Sequence, residues 1–414
     1  MSKYLCYLLG FFVCHNIVWV TRGNSSSYLF VESLISFLLI LTNTGKMKGT
    51  FSYFNNYFKL YVLITLIIGI PFGLIAFMGT DFSISPLKGA VMFIISLSLL
   101  YSILLMRDNI HYLIKGFCYG FYFNLLYSLL CYFFYNMGIT WRIIDYFAGD
   151  EWGFTSYTDL YYRAQGLFME CSYYMVFLAT SFPLVLYYTK NKYVKLFMIL
   201  IALFLSAISF TGNFVLILLS IGLYIVLIDK QLFSATSILK LGIPFVIVLF
   251  LFSDRLLYFL NDIDFFELLN LAIEDYNVND NDNVSNVTRM NGIVHSLELV
   301  GHYPLGVGSG MSSPLLEISF SRDYGDQSTF SFLLKVLLES GWIGFMLYLA
   351  AFLSLSKRLY LGNDFQRALF ICLLCSFLGQ AINGIGWFSF ILFVWGICMI
   401  MSSSRFYNFR ENIC

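Results

Sequence analysis

Apolar runs of nearly bilayer length return along almost the whole of this chain, and nothing else in the sequence restricts the fold as much. Twelve such runs are present, at 4–20, 28–41, 60–78, 87–106, 113–136, 167–188, 193–209, 214–228, 241–257, 330–354, 368–383 and 387–402. A helix needs roughly 20 apolar residues to cross the hydrocarbon of a membrane. Backbone in lipid finds no water, so each run must satisfy its own N–H and C=O groups as a helix. The predicted fold is therefore an all-α polytopic membrane protein with about 12 transmembrane helices. Only 12% of the residues are charged, about half the roughly 25% of a soluble domain. The formal net charge is zero, which gives no electrostatic argument for a nucleic-acid partner.

The distribution of charge sets an orientation. With the N-terminus inside, sixteen of the 24 lysines and arginines fall on the inner side. The positive-inside rule then predicts both termini in the cytoplasm. The first apolar run follows Met-Ser-Lys directly with no small-residue cleavage site after it, so it reads as a retained first helix. The nine cysteines lie almost entirely within apolar runs. The pair Cys372 and Cys375 has redox-like spacing but sits mid-helix, where small apolar packing residues are the simpler reading. Asn-x-Ser/Thr triplets start at Asn24, Asn283 and Asn286 on the outer side and carry weight only in a glycosylating compartment.

Inner connections are short and basic. The chain divides into residues 1–257, holding nine spans with a medium outer loop at 138–165; a large outer loop at 258–327; and residues 328–414, holding three spans and a tail. From Tyr258 to Gln327 there are eleven carboxylates against two basic side chains, Arg289 and Arg322. Leu256 to Tyr276 alternates apolar and acidic residues as a helix lying on the membrane surface would. Glu274 to Asn286 has the composition of a solvated loop, with no register that fits a calcium site. Thr288 is placed to cap a helix in which Met290, Ile293, Val294, Leu297 and Val300 share a face, and Gly301 and Pro304 end it. Further on, Glu339-Ser-Gly341-Trp-Ile-Gly344 interrupts an apolar run, which predicts a kinked or re-entrant helix.

Some of these residues suit anion chemistry. Arg163 and Arg289 stand in separate outer loops, and a guanidinium binds phosphate at two points without ever losing its charge. Interfacial snorkelling or local ion pairing is the plainer alternative. His295, Glu298 and His302 fall on one helical face. The set is sparser than a zinc site usually shows, so no metal is expected, and a polar face or hydrogen-bonding role is preferred. Gly306-Val-Gly308-Ser-Gly310 has no βαβ context, so it is no dinucleotide fingerprint. Its glycines instead predict close approach of backbone to a ligand, with N–H groups available to an anion. Glu32 and Glu339 are the clearest acids within apolar runs; transporters usually carry more, together with matching halves, and no internal repeat is present.

Three segments together resemble a known superfamily. Arg163-Ala-Gln-Gly166-Leu-Phe168 is similar to the Arg-x-x-Gly-Leu-Phe segment of the O-antigen polymerases and O-antigen ligases. Arg289, a short helix, and His302-Tyr-Pro304-Leu-Gly306-Val-Gly308-Ser-Gly310 resemble its second signature. Phe330-Ser331 followed by Gly341-Trp-Ile-Gly344 resembles its third. The likeness covers the last three-fifths of the chain; earlier helices match in hydropathy alone. The ligase branch has a histidine where Phe330 stands here, which favours a polymerase over a ligase that caps lipid A core.

The resemblance implies a bacterial inner-membrane glycosyltransferase with its active site on the periplasmic face. It would join oligosaccharide repeats carried on undecaprenyl pyrophosphate, without a cofactor, alongside a chain-length regulator protein. Arg163, Arg289, Glu170 and His302 are then expected at the reacting centre, with Arg322, Gly306, Gly308 and His295 binding substrate. Glu298 and Asp326 are further candidates for the base. A flippase of lipid-linked glycan is the reading from a different class.

Overall fold

The computed structural model describes residues 2–15, 18–20, 29–47, 49–79, 85–138, 164–168, 170–209, 213–230, 284–319, 329, 331–383 and 388–403. The predicted span at 241–257, the surface helix at 256–276 and most of the outer loops lie outside them. The described residues form an α-helical membrane protein. In chain order the helices are α1 (Ser2–Phe12), α2 (Val31–Thr42), α3 (Asn56–Ile67), α4 (Gly69–Ala76), α5 (Ser85–Leu105), α6 (Ile110–Asn136) and α7 (Cys171–Tyr188). They continue with α8 (Lys192–Ala207), α9 (Phe214–Leu227), α10 (Val284–His302), α11 (Ser312–Ser319), α12 (Phe332–Tyr360), α13 (Asp364–Ile382) and α14 (Ser389–Met401). Six stretches among the described residues are long and apolar enough to cross a membrane: Asn56–Ile75, Pro86–Leu105, Arg107–Asn136, Cys171–Tyr188, Phe332–Tyr360 and Asp364–Ile382. α2, α9 and α14 are shorter and equally apolar.

The first run departs from expectation. Its helix ends at Phe12, and Val18–Val20 pairs antiparallel with Leu29–Phe30.

Hydropathy is arranged as lipid demands. Leu34, Phe37, Leu38 and Leu41 form an exposed stripe on α2, and Leu126, Leu130 and Phe134 one on α6. Buried positions include Asn124, Ser128, Thr180 and Gln380. Apolar side chains outward and polar ones inward is the pattern of a protein solvated by acyl chains rather than water. α14 is apolar all round and buried along its length, which makes it a central helix. Its Trp395 stacks on Tyr348 at 5.3 Å, and its Phe393 on Phe117 at 4.5 Å.

Small residues let α1 and α6 cross closely. A Cβ on Gly10, Gly116 or Gly120 would run into the backbone of the facing helix in the α1–α6 pair. In lipid, where apolar area gives helices little reason to associate, such small-residue contacts supply the packing energy. Asn124 of α6 adds a buried polar bridge. Its Nδ2 donates to the Cys14 carbonyl at 2.8 Å, and its Oδ1 accepts from Leu167 N at 3.1 Å. Asn124→Ala leaves both backbone groups unpaired, at about 1–3 kcal/mol each. Thermal unfolding of the purified variant should fall by several degrees, and an unchanged midpoint would remove this bridge from the account.

Contacts segregate the helix ends into two sets. At one end Gln366, near the start of α13, donates to Met401 O at the end of α14, and Lys195 meets Asp229 across α8 and α9. Lys46 and Arg107 also lie here, both beside Asp108, and Lys3 lies over the Tyr112 ring. At the other end, Asn213 before α9 and Asn383 after α13 exchange side-chain hydrogen bonds of 3.4 and 3.1 Å. Asn383 O accepts from Phe332 N at 3.1 Å, and Ser389 donates to Glu32, tying in the starts of α12, α14 and α2. Basic side chains thus gather at the first end.

Candidate active site

All three signature segments are described in large part, and they fold at the second, less basic end. Ala164, Gln165, Leu167 and Phe168 are buried, in a tight turn closed by Phe168 N donating to Gln165 O at 3.0 Å. The turn is held by Asn124, twelve residues before the end of α6, hence about 18 Å along its axis from that end. The chain therefore dips well into the bundle before α7 begins. Glu170 stands just outside α7, half-buried, with Oε2 accepting from Ser172 Oγ at 2.9 Å. The Ser172 carbonyl accepts in turn from Asn213 Nδ2 at 3.1 Å. Glu170 is thus joined through Asn213 and Asn383 to the start of α12. Arg163 lies outside the described residues.

The second and third segments meet at a broken helix. α12 is interrupted at Gly341, whose backbone takes φ 67° and ψ −176°, a conformation that costs an L-residue with a side chain dearly. The break strands carbonyls at the end of one half-helix and N–H groups at the start of the next. The glycine loop resolves both. Val307 N donates to Leu338 O and Gly308 N to Glu339 O, each at 3.0 Å, while Trp342 N donates to Pro304 O at 3.1 Å. Non-helical backbone at membrane depth is tolerated where protein satisfies it in this way.

The loop glycines are accounted for differently from the sequence expectation. A Cβ on Gly306 would meet the backbone of Glu339 and Gly341, one on Gly308 the backbone of Gly69, and one on Gly310 the backbone of Gly89. Close approach was the right physics, but its partner is helix backbone. The N–H groups of Gly306, Val307 and Gly308 donate to protein carbonyls, Gly306 N to Tyr303 O at 2.9 Å. They are therefore engaged rather than held ready for an anion.

α10, which leads into this loop, also differs from its prediction. It begins at Val284, so Thr288 lies within the helix rather than ahead of it. Its buried face is Gly292, Ser296, Leu299 and Val300, whereas Val294 and Leu297 are about half exposed, at 51% and 52%. The physical reason is close packing: small Gly292 and Ser296, one turn apart, form the inward stripe, and Ser296 Oγ turns back onto Gly292 O at 2.5 Å. Arg289 lies on this helix, more than three turns before its end. His295 Nδ1 is 4.0 Å from Glu298 Oε2, and His302, the last residue of the helix, is exposed. Arg322, Asp326 and Phe330 lie outside the described residues.

Two acids not chosen from the sequence as site residues are drawn in. Glu339, 8% exposed at the break, accepts from Ser312 Oγ at 2.9 Å, with Lys335 Nζ 3.8 Å away. Glu32, 1% exposed, accepts from Ser389 Oγ through one oxygen, and its Oε2 has no partner among the described residues. The signal for both was already present, since an acid inside an apolar run is a functional candidate by default.

The arrangement places a carboxylate, Glu170, at a recessed helix start, and holds α10 against a broken helix by a glycine loop whose Gly306, Val307 and Gly308 N–H groups are hydrogen-bonded. Searches of protein-family models and of curated proteins return no match to this chain.

Proposed function

We propose that this protein is an O-antigen polymerase of the bacterial inner membrane, with about twelve spans, both termini in the cytoplasm and its large loop in the periplasm. One observation carries the reading. The Gln165–Phe168 turn and the His302–Gly310 loop, far apart in sequence, fold at the same end of the helices, opposite the end where basic side chains gather. The positive-inside rule assigns that basic end to the cytoplasm, so the site faces outward, where no ATP or nucleotide sugar is supplied.

In this reading the donor is a growing glycan on undecaprenyl pyrophosphate, and the acceptor is one lipid-linked repeat. The acceptor hydroxyl attacks the donor's anomeric carbon, the carbon–oxygen bond to pyrophosphate breaks, and the lipid pyrophosphate leaves with the bond's electron pair. Positive charge develops on the sugar and negative charge on the leaving group. Arg163 and Arg289 stabilise the leaving pyrophosphate, with Arg322 as a further contact. Glu170 or His302 takes the acceptor proton; Glu170 has the better-fixed geometry, through Ser172 and the asparagine pair. His295 contacts the acceptor, while Gly306 and Gly308 act indirectly, holding the loop against the broken helix. No step calls for a metal, so polymerisation should continue in excess chelator, and loss of activity that divalent cation restores would refute this part.

Deletion of the gene tests the class. A polymerase mutant displays core bearing a single repeat on a polysaccharide gel. A ligase or flippase mutant displays bare core, and that result would overturn the proposal.

A further inference from the structure

A cavity of about 460 Å³ opens at the basic end of the helices, remote from the candidate active site. It lies where the start of α3 meets the ends of α12 and α14, and its polar lining comprises Asn55, Asn56, Ser354, Arg358, Ser402 and Ser403, with Ser52 beside them. No aspartate or glutamate lines it.

The hydrogen bonds of this lining fix what it presents. Asn55 Oδ1 caps α3, accepting from Tyr57 N at 2.9 Å and Phe58 N at 3.4 Å. Backbone N–H groups bond only to oxygen, so the Asn55 amide orientation is settled by the cap. Asn56 Oδ1 accepts from Lys59 Nζ at 3.2 Å. With both acceptor ends engaged, the groups these two residues have to spare are N–H donors, whereas Ser52, Ser402 and Ser403 donate their hydroxyls to Gly49 O, Met399 O and Ile400 O and present lone pairs. Arg358 adds a guanidinium fork. The other arginines described at this end sit beside acids, Arg107 near Asp108 and Arg367 by Asp364, as do Lys46 and Lys195. Among the described residues Arg358 has no such partner.

A lining free of carboxylates, whose spare donors are the amide N–H groups of Asn55 and Asn56 and one uncompensated guanidinium, selects an oxyanion, and the fork geometry suits phosphate. The remaining wall is apolar. Leu60 and Met399 line it, as does Tyr57, and Leu60 and Tyr57 are nearly half exposed on the outer surface of α3. An amphiphile can therefore seat its headgroup inside while its chains stay in lipid. We propose that this cavity binds a phosphate ester, carried on a phospholipid headgroup or free.

The test uses full-length protein, purified and delipidated in detergent, with bound ligand counted by native mass spectrometry. Three probes separate the sources: phosphatidylglycerol, diacylglycerol without phosphate, and glycerol phosphate without acyl chains. Phosphatidylglycerol should bind saturably and diacylglycerol should not. Arg358→Gln should weaken phosphatidylglycerol binding about tenfold, the loss of one charge-assisted contact, and Ser354→Trp, which fills the cavity, should abolish it. Competition by millimolar glycerol phosphate identifies a site for the phosphate ester alone; no competition identifies a lipid headgroup site. Arg358 is exposed, so its variant should fold, and helical circular dichroism checks both. Diacylglycerol binding as tightly as phosphatidylglycerol would overturn the proposal. So would both variants holding phosphatidylglycerol within twofold of the parent.

Discussion

Arg289→Ala should abolish long polysaccharide chains and leave core with one repeat, and Arg163→Ala should do the same. Each guanidinium–pyrophosphate contact is worth about 1.5–3 kcal/mol, and most of that value appears only as the leaving group gains charge. Losing one contact then slows each transfer by roughly 10- to 150-fold. Chain growth multiplies the loss, because every added repeat needs another transfer. Lysine at either position restores charge without the planar fork, so Arg289→Lys should give short chains rather than none. Arg289 is set on α10, whose buried face is Gly292, Ser296, Leu299 and Val300, so the alanine variant should remain in the membrane. Normal chain lengths from Arg163→Ala or Arg289→Ala, with the protein present by immunoblot, would end the pyrophosphate clamp.

Gly308→Val should have the second large effect, through a different route. Gly308 takes φ 94° and faces the backbone of Gly69. A β-branched residue in this left-handed conformation costs roughly 1–2 kcal/mol or more. Forcing the α4 backbone away adds roughly 1–3 kcal/mol of overpacking. The larger penalty is topological. The Gly308 N–H and its neighbour hold the carbonyls of the α12 break, and displacing the loop leaves them unpaired in a low-dielectric setting. Gly308→Val should therefore lower the amount of folded protein in the membrane as well as chain length, which separates it from Arg289→Ala. Wild-type thermal stability in Gly308→Val would show that the loop tolerates displacement and that the docking described above does not hold the break.

These two variants mark what was legible in the sequence. The interruption at Glu339-Ser-Gly341 announced a break, because an acid and a glycine in an apolar run weaken a helix locally, and Gly341 is where it occurs. The glycine run announced close backbone approach, but glycine carries no sign of what approaches it. Gly69 lies 239 residues from Gly308 by subtraction of their positions, and no local pattern connects them. Thr288 was misplaced as a cap because a side chain that can cap is equally comfortable inside a helix that starts earlier. The inward face of α10 was misread because small Gly292 and Ser296 pack inward beside Leu299 and Val300, and apolar periodicity alone does not single out small residues as a packing stripe. The links Asn213–Asn383 and Glu32–Ser389 join positions 170 and 357 residues apart, which only the folded helix bundle makes neighbours. Glu170 was legible as chemistry but not as geometry, since its holder Ser172 is fixed by that same distant pair.

The most direct test of the polymerase reading is reconstitution. Purified protein in proteoliposomes, given only undecaprenyl-pyrophosphate-linked repeat units, should build a ladder of glycan lengths with release of undecaprenyl pyrophosphate, and Arg289→Ala should not. Folded wild-type protein that moves the lipid-linked repeat across the bilayer yet leaves every glycan one repeat long would contradict it.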